Sequence, residues 1–210
     1  MTRRILASDP AALDEAVAAL RRGELIAIPT ETVYGLAARP THDSVERLIA
    51  AKHRSAEKGI QLLIDSVDQA TALADVTPSA RALAARYWPG PLTIVLNRRG
   101  DAHPEVPEIL GGGRPTLGLR LPDHEVPRAI ARALGPIAAS SANVSGEPDA
   151  TTADHVAGYF GDEVSLIIDD GPVRGGVPST VVSCADPEQP PLVLREGVIS
   201  AAEIAAVTAD

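Results

Sequence analysis

The sequence predicts a layered α/β or α+β domain built on a mixed sheet. Three observations predict it. Short apolar runs alternate with amphipathic, capped stretches along the whole chain. The 210 residues suit a single domain and can bury a core without disulfides or metals. No internal repeat, low-complexity block or linker divides residues 1–210.

The elements follow in order. Asp9-Pro10 with Leu13, Val17 and Leu20 reads as a capped amphipathic helix, stopped by Gly23. Residues 24–28 read as a short apolar strand, and the polar stretch PTETVYGL, residues 29–36, stands at its mouth. Asp43 with Glu46 reads as a capping box that opens a helix running to about Lys52. Ile60 to Ile64 is a second buried strand. Ser66 with Gln69, and Thr77-Pro78, open two further helices. Leu92–Leu96 and Leu117–Leu121 read as strands on either side of a loop with Gly111-Gly112-Gly113. A helix over 124–134 leads to the strand Ile137-Ala138-Ala139, and Thr152 caps a helix ending near Phe160. Strands over 165–168, 180–183 and 192–194 follow, with 185–191 a surface loop. Ser200 with Glu203 caps a last short helix.

Composition narrows the function. The single cysteine, Cys184, cannot form an internal disulfide, which suits a reducing cytoplasm. Met1-Thr2-Arg3-Arg4 leads into no apolar h-region, so no signal peptide is expected. No run approaches the roughly 18 apolar residues of a spanning helix, so no membrane association is expected. A net charge of −9 is unsuited to a protein whose main task is gripping nucleic acid. An anionic ligand must then be held by a local cluster of Arg and Lys. Histidines 42, 53, 103, 124 and 155 show no H-x-x-x-H or H-x-x-H spacing, and no metal site is expected. There is no G-x-S-x-G elbow and no G-x-G-x-x-G after the first strand. Gly175-Gly176-Val177-Pro178-Ser179-Thr180 lacks the lysine of a P-loop.

Several strand ends carry more polar groups than a turn requires. Thr30-Glu31-Thr32-Val33-Tyr34-Gly35, taken alone, is better read as a turn whose hydroxyls satisfy free backbone groups. Lys52 and Arg54 either complement a helix C-terminus or hold an anion. Ser140-Ser141-Ala142-Asn143-Val144-Ser145-Gly146 lies at a strand's carboxyl end, where open α/β sheets bind ligands. Arg120 and Arg195 are charges inside apolar strands, and each must reach an anion or point to solvent.

Six motifs then occur in order: Pro29-Thr30-Glu31-Thr32-Val33-Tyr34-Gly35-Leu36, Lys52-x-Arg54, Trp88-Pro89-Gly90-Pro91-Leu92-Thr93, Leu119-Arg120-Leu121-Pro122, Ser141-Ala142-Asn143-x-Ser145-Gly146 and Pro178-Ser179-Thr180-Val181-Val182. Together they resemble the YrdC-like family of L-threonylcarbamoyladenylate synthases, from about residue 12 to 198. The resemblance implies a twisted mixed β-sheet flanked by helices, with one large concave, locally positive cavity. It implies the reaction of ATP, L-threonine and bicarbonate to threonylcarbamoyl-AMP and pyrophosphate. That is the first step of the N6-threonylcarbamoyladenosine modification of tRNA.

The family's K-x-R and S-x-N signatures map onto Lys52, Arg54, Ser141 and Asn143 as catalytic residues. By the same resemblance Arg54, Lys58, Thr116, Asn143, Thr151 and Arg195 contact ATP. Thr32, Arg120, Ser141 and Ser179 hold L-threonine, with Arg120 a bidentate partner for its carboxylate. Tyr34 is expected as a cavity-lining ring. Mg²⁺ accompanies ATP, bicarbonate is a co-substrate, and the product passes to tRNA threonylcarbamoyl-transfer proteins, with weak or no direct tRNA binding. The chain departs from the family at Ser55, at Lys58-Gly59-Ile60 in place of Asn-Pro-Leu, and at Leu63 in place of a histidine. The amino-acid pocket is expected to differ on that side. The chain resembles the short, single-domain form. Two other readings are an RNA-binding module in tRNA or ribosome maturation and a carbamoyl-adenylate-forming domain of the hydrogenase-maturation type.

Overall fold

The computed structural model describes residues 2–100, 106–173 and 175–208; Met1 and His103, named above, lie outside the described residues. Ten strands form one sheet. They are β1 (Arg3–Leu6), β2 (Ile26–Ile28), β3 (Gly35–Ala38), β4 (Gln61–Leu63), β5 (Leu92–Asn97), β6 (Thr116–Arg120), β7 (Ile137–Ser141), β8 (Leu166–Asp169), β9 (Thr180–Ser183) and β10 (Leu192–Arg195). Their order is β1-β8-β2-β3-β7-β4-β6-β5-β9-β10. Parallel pairs such as β4 with β6 alternate with antiparallel pairs such as β3 with β7, so the sheet is mixed, as predicted.

Seven helices cover it: α1 (Ala12–Arg21), α2 (His42–Ala51), α3 (Val67–Leu73), α4 (Pro78–Tyr87), α5 (Glu125–Leu134), α6 (Ala153–Phe160) and α7 (Ala201–Val207). Among the described residues, no helix is long and apolar enough to cross a membrane.

The caps follow the sequence at four helices. Ser66, Thr77 and Thr152 each accept a backbone N–H of the first turn, and Ser200 with Glu203 forms a complete capping box. Two expectations are corrected. α2 has Thr41, not Asp43, at its N-cap and no side-chain cap. The Thr41 hydroxyl donates to Ser44 at 3.0 Å, and Glu46 turns toward His42. Asp9 does not cap α1; it accepts from Ala11 N at 2.8 Å in a turn before the helix.

Two strands carry no sequence signal. β1 is a basic edge strand with only Ile5 buried, and β3 is Gly-Leu-Ala-Ala without polar alternation. β7 also runs two residues past Ala139, because Ser140 and Ser141 pair with Leu36 and Gly35.

The core divides on the two faces of the sheet. Apolar residues of α2, α3, α4, α6 and α7 pack on one face, against Ala27, Leu36, Leu62, Ile94, Leu119 and Val182. Only α1 and α5 pack on the other, against Ile26, Ile28, Leu63, Ile137, Ala139 and Ile168. These two helices cover the half of the sheet around β8, β2, β3 and β7. They reach as far as Leu63 at the end of β4; among the described residues the same face of β6, β5 and β9, and of β4 at Gln61, has no helix over it.

Candidate functional site

That open half-face is the floor of a cleft of about 190 Å³. Strand alternation explains the floor. In β6, Leu117 and Leu119 point into the helix-covered core, so Thr116, Gly118 and Arg120 face the other way. In β5 the same rule turns Thr93 and Val95 to the cleft. Gln61, Ala139, Ser141 and Val181 complete the floor, and its small side chains leave room above it. Arg54, Gly59, Leu110, Arg114, Pro178, Ser179 and Arg195 form the walls. Gly59 is needed there, because a Cβ would stand 2.9 Å from the carbonyl oxygen of Leu110. A separate, more open hollow of about 520 Å³ lies between Glu24, Arg47, His53 and Ser165.

The electrostatics of the cleft run against those of the chain. Among the described residues four arginines line it (Arg54, Arg114, Arg120, Arg195), and none of the lining residues is a carboxylate. Three are held alike. Arg54 donates from Nε to Lys58 O and from Nη2 to Gly59 O. Arg195 donates from Nε and Nη2 to Ser179 O, and from Nη2 also to Ser179 Oγ. Arg120 donates from Nε to Gly90 O, and from Nη2 to Glu31 Oε1 at 2.7 Å and Thr32 Oγ1 at 3.0 Å. In each, Nη1 makes no hydrogen bond among the described residues. Arg54 is half-buried, and burial together with Arg195 pushes its guanidinium below the usual value. Such a cluster is completed by an anion.

Lys52 plays a different part. It closes α2 and is 1% exposed. Its Nζ donates to Ser141 O, to Asn143 O at 2.6 Å and to Asn143 Oδ1 at 3.3 Å. Ser141 Oγ donates to Asn143 Oδ1 at 2.6 Å, and Asn143 Nδ2 to Glu147 O at 2.6 Å. Lys52 thus spends its three protons on the end of β7. Burial, with a smaller contribution from Arg54, pushes its amine down to about 8.

Of the residues singled out in the sequence, the structure brings Arg54, Thr116, Arg120, Ser141, Ser179 and Arg195 to the cleft. Lys52 and Asn143 sit behind the wall. Thr32 is buried behind Arg120. Lys58 is exposed off the lining, and the Thr151 hydroxyl pairs with His155 Nδ1 at 3.3 Å, away from it. Arg120 is not free to act as a bidentate fork, because its Nε and Nη2 are already committed. Tyr34 is not a cavity-lining ring: it is fully buried, with its hydroxyl donating to Gly171 O at 2.8 Å. Leu63, at the position where the family carries a histidine, is buried under α1 and α5.

Sequence reasoning missed Arg114, Gln61 and Thr93 as lining residues. The Thr93 hydroxyl donates to Gln61 Oε1 at 2.6 Å and stands 3.1 Å from Ser179 Oγ. The signal for Gln61 and Thr93 was a polar residue on the outward register of an apolar strand, whereas Arg114 lies in the loop before β6.

A family model for Sua5, yciO and yrdC, described as telomere recombination, matches residues 18–197. The chain belongs to the Sua5/YciO/YrdC family. A threonylcarbamoyl-AMP synthase of Pyrococcus abyssi is 43% identical over 88% of this chain and 54% of its own length. One of Bacillus subtilis is 40% identical over 99% of this chain and 59% of its own. The chain therefore spans a little over half the length of these two curated relatives. A synthase of Chromohalobacter salexigens is 42% identical over 80% of this chain and 89% of its own length. A crystal structure of P. abyssi Sua5 complexed with L-threonine superimposes with a TM-score of 0.88 at 39% identity, over 99% of this chain and 60% of that one. Escherichia coli YciO, at 24% identity and a TM-score of 0.82, shares the fold.

Proposed function

We propose that this chain is an L-threonylcarbamoyladenylate synthase. The carrying observation is a cleft that, among the described residues, is lined by four arginines and no carboxylate, in an acidic chain whose relatives are named threonylcarbamoyl-AMP synthases. The amine of L-threonine takes up bicarbonate with loss of water and becomes a carbamate. A carbamate oxygen then attacks the α-phosphorus of ATP, and the bond to pyrophosphate breaks. Catalysis of this kind is mostly positioning and charge neutralisation.

The cleft divides the work. The Nη1 groups of Arg54 and Arg195, with the Thr116 hydroxyl, face the phosphates, and Arg114 adds charge at the rim. Arg120 and Ser179 take the amino acid, and Ser141 stands between the two substrates. Lys52 and Asn143 act by holding Ser141 in place, and Thr32 acts through Arg120. Lys58 and Thr151 are left as ATP contacts at the edge of the site, without support from the cleft wall. Mg²⁺ fits only as part of the ATP complex, since the lining offers no carboxylate and phosphate oxygens must hold it. The product is an activated carbamoyl donor for N6-threonylcarbamoyladenosine in tRNA. It passes to the transfer proteins in the cytoplasm, where a buried unpaired Cys184 is at home.

The test is pyrophosphate release with each substrate omitted in turn. Release is expected only with ATP, L-threonine and bicarbonate together, and serine is expected to substitute poorly. Release that ignores L-threonine overturns the proposal. Tight, salt-sensitive binding of tRNA without ATP would favour an RNA-binding module instead.

A further inference from the structure

Among the described residues, one buried side-chain polar atom lacks a hydrogen-bond partner: Glu31 Oε2. Buried carboxylate oxygens without a donor are rare enough to demand a reason. Glu31 sits in the hairpin loop between β2 and β3, with its side chain 20% exposed, and pairs with an Arg120 side chain that is 4% exposed. The loop is rigid. Thr30 Oγ1 donates to Val33 O at 2.6 Å and accepts from the N–H groups of Thr32 and Val33. With that proton spent, the Thr32 hydroxyl donates to Thr30 Oγ1 across 2.9 Å and can only accept from Arg120. The segment carrying Ser179 closes on the same loop: Gly176 N donates to Thr32 O, and a Cβ on Gly175 would stand 2.8 Å from that oxygen.

We propose that Glu31 is a positioning residue that reserves Arg120 for the carboxylate of an amino acid. Two consequences of its contact with Nη2 carry this. The first is geometric: with Nε on Gly90 O and Nη2 on Glu31 and Thr32, Arg120 presents Nη1 alone to the cleft. The second is electrostatic. Arg54 and Arg195 are hydrogen-bonded by neutral oxygens, with Asp149 acting on Arg195 only at longer range, whereas Arg120 is in direct contact with a carboxylate. The Arg120 end of the cleft is thereby close to neutral. It suits a zwitterion of small net charge, while polyphosphate goes to the unpaired arginines.

The inference rests on the synthase reading, and the experiment separates the two. L-threonine and ATP are titrated calorimetrically into the intact chain, and pyrophosphate is used as a competitor of L-threonine. Glu31→Ala frees the guanidinium to move and is expected to weaken L-threonine by on the order of tenfold or more, with ATP affinity kept. Glu31→Gln keeps an acceptor beside Nη2 and is expected to hold L-threonine within about threefold, while pyrophosphate displaces it more readily than in the wild type. Unchanged L-threonine affinity in Glu31→Ala overturns the positioning role. Unchanged pyrophosphate competition in Glu31→Gln overturns the charge-setting role. Wild-type protein that binds no L-threonine overturns the functional reading, and this inference with it.

Discussion

Two polar clusters grow from the same short loop, and they behave differently. Toward the cleft, Glu31 and Thr32 hold Arg120. On the other side, Tyr34 reaches Asp169 and Gly171, and Asp169 accepts from Arg4 Nε at 3.0 Å and Nη2 at 2.8 Å. The Tyr34 cluster closes on itself. Arg4 Nη1 pairs with Asp154, the Gly171 N–H donates to Asp169 Oδ1, and the Asp170 N–H donates to the Tyr34 hydroxyl. The cleft cluster does not close: Nη1 of Arg54, Arg120 and Arg195 and Oε2 of Glu31 are left over. A network that satisfies all its groups is a brace. One that sets like charges side by side is suited to an anionic ligand.

The contrast breaks most clearly at Arg54. Arg54→Ala is expected to lower turnover by about 100-fold or more, since it removes a donor from developing phosphate charge. The melting temperature should change little, because the lost bonds go to two loop carbonyls. An early-melting but active variant would make Arg54 a helix-end brace.

Lys52→Met tests a residue that belongs to both sides of the contrast. It strips the donor from Ser141 O, Asn143 O and Asn143 Oδ1 and is expected to cost about 2–4 kcal/mol in urea unfolding. Turnover should fall as well, because the Ser141 end of β7 loses its anchor.

The same lysine gives a pH signature. Folded, it releases its proton at about 8, against 10.5 as the ordinary value. Between the two the unfolded chain holds the extra proton, so this group's contribution to stability rises with pH. Turnover should move the other way. A neutral amine has two N–H groups for three oxygens, so activity is expected to fall as pH rises through about 8 while the chain stays folded. Parallel pH–rate and pH–stability curves check both signs.

The smallest effect is expected on the closed cluster. Tyr34→Phe removes one buried hydroxyl and should cost about 1 kcal/mol in stability with turnover unchanged. A large loss of turnover would join Tyr34 to the site and erase the contrast.

Much of this was legible beforehand. Capping residues marked α3, α4, α6 and α7, because an N-cap is decided within four residues. Six of the residues proposed for the site line the cleft, and four of them, Arg54, Arg120, Ser141 and Ser179, sit in the motifs read from the sequence. The edge strand β1 and the alanine-rich β3 were not legible: their pairing is a tertiary fact, and neither shows alternation. Glu31 stayed ambiguous because its partner lies 89 positions away. Gln61 and Thr93 looked like polar interruptions of apolar strands.

By itself the sequence determined the order of the helices and of all strands but β1 and β3, the caps that delimit most helices, and the hydroxyl and guanidinium groups at strand ends. All of these depend on neighbours a few residues apart. Only the tertiary structure decided which of those groups share a wall. That choice follows from the distribution of helices, five on one face and two on the other, which leaves Gln61 of β4 and the alternate residues of β5, β6 and β9 uncovered. It also decided that Lys52 and Thr32 brace the site from behind while Arg54, Arg120 and Arg195 each turn one nitrogen toward it. Burial and the geometry of distant carbonyls set those roles, and no local pattern encodes them.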